Sequence, residues 1–584
     1  MKKLLTFDIG EAKSTVDATV EMAEKGLAPG IKEYMFSFSW DSRQARQPDA
    51  SISIWLELPL LRAQYLWHPK SGRDKTLQPE WRFKNEVMTT ISAPVACVYD
   101  SADQNAHTFA SSEVKKVCKF EFGVNEHNNC LMGRIVLPLK QFSTKASHTF
   151  RLLHDSRKVP YSTALSGVCA WWEQDISPMP VPKAAYLPMY STWYNFHQHL
   201  TDRIVEDACK NAAELGFSGV IVDDGWQTED VNCGYAFCGD WAVCEKKFPD
   251  MRAHVARVHA MGLKYILWYS VPFVGDQSKN WERFKGKTLY TIKRLSASVL
   301  DPRFPDVREF LIGIYEAALR DYDLDGFKLD FVDRLLAMEG DTLKPGMDYA
   351  CVQDATDRLM TDIMCRLRAI KPDILIEFRQ AYIGPNMRKY GNMFRVNDCP
   401  GDGLSNRVGI CDLRLLSGNT AVHSDMLTWH EESTPSDAAL QILDVLFGVL
   451  QFAVKIDTLP PAHRKMVEFW MGFMKENRDV LLHSAFLPSE PHLLYPLIKA
   501  TDGKTAVIGI YGQNKVAVLG EETTVKLANA TRGSTVYVDV PAPVTARVQS
   551  YDCTGGLLYE EERAFAAGPA AIPSSPSGLV VLTF

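Results

Sequence analysis

The chain has 584 residues, 46% of them hydrophobic and 23% charged, with a formal net charge of -7 at pH 7. That length exceeds what one hydrophobic core supports, so roughly two to four domains are expected. The acidic balance argues against a nucleic-acid partner, which would require a basic patch or stripe.

The N-terminus, MKKLLTFDIGEAK, has an apolar stretch cut by Asp8, Glu11 and Lys13, too short for a signal peptide. No apolar run approaches a membrane span. The 13 cysteines are scattered and odd in number, which suggests reduced thiols and a cytoplasmic location. Cys233, Cys238 and Cys244 form the tightest group, but their gaps exceed the usual zinc spacing, so no metal is expected there.

Residues 1–180 hold short β-type runs broken by turn signals: EYMFSFSW, SISIWLELPLL, APVACVYD, VKKVCKFEFGV and LMGRIVLPL. No amphipathic helix stands out. This predicts an N-terminal antiparallel β-sandwich. The proline-rich SPMPVPKA (177–184) marks a boundary.

From 185 to 482 strand-like runs alternate with helical patterns. Eight such strands occur: AAYLPMYS, GVIVDDGW, KYILWYSVPF, DGFKLDFVD, DILIEFRQ, NMFRVND, NTAVHSDM and LQFAVKID. TDRIVEDACKNAAELG, with Thr201 at its N-cap, follows the first, and comparable helices follow most of the others. The series predicts a catalytic (β/α)8 TIM barrel rather than an open doubly wound sheet. From 485 to 584 the β pattern returns in TAVIGIYG, KVAVLG, STVYVDV, TARVQSYD and GLVVLTF, which predicts a small C-terminal β-sandwich.

Functional residues of such barrels sit at the C-terminal strand ends. In order, those ends supply Trp193 and Tyr194; Asp223, Asp224 and Trp226; Trp268; Lys328 and Asp330; Glu377, Arg379 and Gln380; Asp398, with Asp402 beyond; His423, Asp425, Trp429 and His430; and Lys455 and Asp457. Carboxylates accept hydrogen bonds from paired hydroxyls, and tryptophan offers a flat apolar face to sugar C–H groups. A carbohydrate therefore fits better than a nucleotide, and no Gly-rich phosphate loop is present.

Asp330 and Asp398 end even-numbered strands and can share one interior layer. Glycoside hydrolysis needs such a pair, about 5–5.5 Å apart for retention and roughly 6.5–9.5 Å for inversion. Lys328 faces the same way as Asp330 and is expected to lower its pKa. Asp398 is expected to have a raised pKa, as an acid must. Blander readings exist. Lys328 and Asp330 suit a structural ion pair, either of Asp223 and Asp224 suits a cap, and each tryptophan alone suits packing. His197 and His199 form an HxH pair like that of metal-dependent amidohydrolase barrels. The partner histidines such a site needs on the fifth and sixth strands are missing.

The succession GVIVDDGWQ, GDWAVCEKKFPDM, GLKYILW, DGFKLDF and NDCPGDGLSNR resembles glycoside hydrolase family 36, the retaining α-galactosidases of clan D. The resemblance implies Asp330 as nucleophile and Asp398 as acid/base. It implies that Asp223 and Asp224 bind hydroxyls including O4 and O6, and that Lys328 binds O3 or O4. Trp226 and Trp268 would wall the pocket, Asp240 and Trp241 would belong to a lining loop, and Asp402 would contact substrate with Arg407 orienting it. The family layout also implies no cofactor, an oligosaccharide or glycoside as partner, and a frequent homo-oligomer.

Two departures stand out. IEFRQAYIGPN replaces the family's Cys-Ser-Ser-Gly-Gly run on the fifth strand, and WYSVPFVG replaces an acidic run on the third. Arg379 would donate to a C2 substituent, such as an N-acetyl carbonyl, or to a sugar acid. The expected activity is a retaining exo-α-glycosidase acting on α-linked galactose or a related sugar. The alternatives are a transglycosidase and a non-catalytic carbohydrate-binding protein.

Overall fold

The structure is a computed structural model that describes residues 1–82, 85–142, 145–338 and 341–584. The N-terminal region folds as two six-stranded antiparallel sheets. Alternation sets their facing surfaces. In Ile31–Trp40, Tyr34, Phe36, Phe38 and Trp40 are buried while Met35 is exposed. They share one core with Ile52, Ile54, Leu56 and Leu58 of Ser51–Pro59.

A helix, Tyr161–Trp172, then leads to the barrel. The sequence reading missed it. Eight of its residues are buried, including Tyr161, Leu165, Val168, Trp171 and Trp172, so it lacks the polar face that reveals a surface helix.

All eight expected barrel strands form: β1 (Met189–Ser191), β2 (Gly219–Val222), β3 (Lys264–Ser270), β4 (Gly326–Asp330), β5 (Leu375–Arg379), β6 (Met393–Arg395), β7 (Ala421–His423) and β8 (Gln451–Phe452). They pair in parallel from β7 round to β8, and a parallel bridge between His423 and Val449 completes the ring. The helices between them pack outside. Thr201 caps the first by accepting from the Ile204 N–H at 3.2 Å, and Asp250 caps the second by accepting from Ala253 N–H at 2.9 Å.

The barrel floor is apolar: Met189, Ile221, Ile266, Leu375, Met393 and Ala421 cluster with Ala185 from the entering chain. Above them the interior turns polar. β4 shows why. Gly326, Lys328 and Asp330 share one face, at rising height, while Phe327 and Leu329 face the helices. Gly326 is required, because a Cβ there would lie 2.0 Å from the Leu375 carbonyl oxygen of β5.

After β3 an unforeseen three-stranded sheet (Phe273–Gly275, Thr288–Ile292, Ala297–Leu300) projects above the mouth. The C-terminal region forms a seven-stranded and a three-stranded sheet around Ile508, Leu527, Val538, Val548 and Leu582. No helix among the described residues is long and apolar enough to cross a membrane.

Candidate active site

Asp330 ends β4 at the barrel mouth, and the chain turns at once, with Phe331 in the left-handed region at φ 61°. The turn aims the Phe331 N–H at Asp330 Oδ1, 2.8 Å away. The same oxygen accepts from Arg379 Nε at 3.0 Å and from the Tyr382 hydroxyl. Among the described residues, Oδ2 accepts only from Trp268 Nε1, at 3.1 Å. Burial pushes the carboxyl pKa up, but Arg379, then Lys328, then the Tyr382 and Trp268 donors outweigh it and hold Asp330 well below the carboxylate range.

Lys328 does not bond Asp330. Its Nζ reaches across to Asp223 Oδ2 of β2 at 2.6 Å, and both side chains are about one-twentieth exposed (5% each). Beside it, Asp224 accepts from Gln198 at 2.6 Å and Gln227 at 2.7 Å. Burial raises its pKa to about 6 despite these bonds.

On the far wall, Asp398 follows β6 with its side chain 47% exposed, and Arg395 Nη2 donates to it at 2.8 Å. The expectation of a raised pKa is wrong. Burial raises it, but Arg395, Lys328 and Arg379 together bring Asp398 below the ordinary value. Three cations converge here, and of these the sequence reading names Lys328 and Arg379 but not Arg395. Arg395 also pairs with Asp425, which accepts from the Tyr194 hydroxyl at 2.9 Å and the Cys399 N–H at 2.6 Å.

Other expected site residues sit as supports. Trp226 is fully buried and donates its indole N–H to the Trp268 carbonyl at 2.9 Å, so it backs the wall instead of forming it. Trp241 packs against Trp226 and Trp268, with ring centroids 6.1 and 6.0 Å away. Asp240 braces its loop by accepting from Ser278 at 2.6 Å and the Lys279 N–H at 3.0 Å. Asp402 caps the helix Gly403–Arg414 and pairs with Arg73 of the N-terminal domain. Arg407 does not orient it, because its guanidinium pairs with Asp444. Arg379 lies between the two catalytic candidates, with Nη1 donating to Asn397 at 2.9 Å, beside Asp398. His197 of the HxH pair packs against Trp193 with its ring tilted by 47°, centroids 4.7 Å apart.

Sequence reasoning missed Tyr382 and Arg395. Arg395 carried a legible signal, since a cation inside the apolar run NMFRVND poses the same question as Lys328. Tyr382 follows β5 in a loop with no pattern.

The Melibiase family model matches residues 188–388, from the start of β1 to just short of β6. The α-galactosidase 2 of Pediococcus pentosaceus is 23% identical over 350 residues, 57% of this chain and 48% of that protein. This chain is thus similar to α-galactosidases. The bifunctional α-galactosidase/sucrose kinase AgaSK of Mediterraneibacter gnavus is 27% identical over 199 residues, 32% of this chain and 20% of that one. The chain thus spans less than half the length of these curated relatives. A family 36 α-galactosidase, an AgaA variant from Geobacillus stearothermophilus in complex with 1-deoxygalactonojirimycin, superposes with a TM-score of 0.66. It covers 98% of this chain and 83% of its own at 14% identity, so it speaks for the fold alone.

Proposed function

We propose that this protein is a retaining exo-α-glycosidase of family 36 type that removes a terminal α-linked galactose or a related sugar. The observation that carries the reading is the contrast between its two carboxylates. Asp330 is buried, ionised and locked by four donors, whereas Asp398 is half exposed across the mouth. In this reading Asp330 attacks the anomeric carbon through Oδ2, the oxygen with one donor, while Oδ1 stays held. Asp398 gives its proton to the glycosidic oxygen as that bond breaks. It then takes a proton from water, which attacks the same carbon and frees Asp330, so two inversions retain the α configuration. Lys328, Asp223 and Asp224 would hold the hydroxyls, and Trp268 would wall the ring.

One observation favours a binding role without turnover. The guanidinium seated on Asp330 neutralises the charge that attack requires. Turnover decides between the two. Chromogenic α-galactoside, α-N-acetylgalactosaminide, α-glucoside and α-uronide are offered to the parent and to Asp330→Asn. The expected result is turnover of one glycoside with first-formed product of α configuration, and a loss of roughly a thousandfold or more in the variant. Binding of the sugars by folded parent without turnover of any would replace this reading with the binding one.

A further inference from the structure

A cavity of about 340 Å³ opens beside Asp398, between the barrel and the N-terminal domain. Asp398, Asn397 and Gln380 line it from the barrel, and Lys70 and Arg73 from the N-terminal domain. Asp330, Lys328, Asp223, Asp224 and Trp268 do not line it. Asp398, the proposed proton donor to the leaving group, is the residue this cavity shares with the candidate reaction centre.

The charges around it are unequal in one respect. Arg73 pairs with Asp402, Asp398 with Arg395, and Asp412 with Lys75. Lys70 has only the Glu86 carbonyl, 2.6 Å from Nζ, and no carboxylate within ion-pair range among the described residues. An ammonium has three donors, so two remain for a ligand. A cavity of this size sits at the small end of ligand pockets and suits one sugar ring better than a long chain. Residues 70 and 73 also lie outside the stretch that the family model matches.

We infer that Lys70 makes this cavity a subsite for a leaving-group sugar bearing an anionic substituent, a phosphate or a carboxylate. The inference rests on the glycosidase reading for its direction, but its test does not. Binding of glucose, glucose 6-phosphate and glucuronate is measured by calorimetry on the full chain, its Lys70→Met variant and its Lys70→Arg variant. A charge-assisted hydrogen bond predicts that the parent binds an anionic sugar about tenfold more tightly than glucose. The advantage should vanish in Lys70→Met and persist in Lys70→Arg. A gain for glucose 6-phosphate alone identifies phosphate as the anion, and a gain for glucuronate alone identifies carboxylate. Equal binding of all three sugars by the parent, or an advantage that survives in Lys70→Met, overturns the inference. These titrations read the same whether or not any glycoside is hydrolysed, so failure of the glycosidase reading shows separately, as a silent substrate panel.

Discussion

Arg379 sets the charge at the candidate reaction centre. It lowers the pKa of both Asp330 and Asp398. In double displacement, activity rises as Asp330 ionises and falls as Asp398 loses its proton. Both limbs of the kcat/KM profile should therefore lie in acid, and activity should decline towards neutrality. Arg379→Ser removes one cation from both groups, so both limbs should move alkaline by about one pH unit. A profile that keeps its position in the variant would mean that Arg379 does not govern these protons. Asp224 gives a stability test of opposite character. Its folded pKa of about 6 lies above its unfolded value, so its contribution is full at low pH and is lost as pH rises through about 6. The shift corresponds to about 3 kcal/mol at most. Asp224→Asn cannot ionise. The difference in stability between variant and parent, followed by denaturant melts from pH 4 to 7, should move in the variant's favour up to about pH 6 and level off above it. A constant difference would show that Asp224 does not titrate in that window. The slope is the readout, since the amide also faces the Gln198 and Gln227 donors and shifts the absolute value.

Among the elements, legibility followed pattern. The barrel strands were readable because short apolar runs alternate with helices, and the site emerged by asking what each strand ends with. Lys328 and Asp330 announced themselves as charges in an apolar run. The reading failed where the deciding contact crosses between elements. That Lys328 turns to Asp223, that Arg395 reaches Asp425, and that Trp226 is spent on a carbonyl of β3 are all cross-strand facts. The sequence places each residue on its strand but not its partner opposite. The helix Tyr161–Trp172 failed for another reason, since burial on most sides removes periodicity. β4 offers a test at this scale. Gly326→Ala puts a methyl against the Leu375 carbonyl and must force β4 away from β5. Overpacking of this kind costs about 1–3 kcal/mol. Because Lys328 and Asp330 ride on the same strand, thermal stability and turnover should fall together. Unchanged melting with full activity would show that the two strands separate freely.

At the scale of the whole molecule, the three regions meet on one carboxylate. Asp412, near the end of the helix Gly403–Arg414, accepts from Trp67 Nε1 at 2.8 Å and pairs with Lys75 at 3.0 Å, both from the N-terminal domain. It also accepts from the Tyr495 hydroxyl at 2.5 Å, from the C-terminal region. Lys75 and Asp412 are all but sealed, with side chains 0% and 3% exposed. At the other end of the helix, Arg73 grips the capping Asp402. One N-terminal segment, residues 67–75, thus holds both ends of the helix that begins just after Asp398. The docked sandwich and the segment that carries Asp398, the proposed proton donor, are thus joined through this helix. Asp412→Asn leaves Lys75 buried without a counter-charge, which costs about 3–5 kcal/mol. Stability should fall by that order, and the functional loss should be selective. A 4-nitrophenyl leaving group departs with little protonation, whereas a sugar leaving group needs the acid. If the helix positions Asp398, Asp412→Asn should lose more kcat on an oligosaccharide than on the 4-nitrophenyl glycoside of the same sugar, below the melting temperature of the variant. Equal losses on both substrates would assign the junction to stability alone.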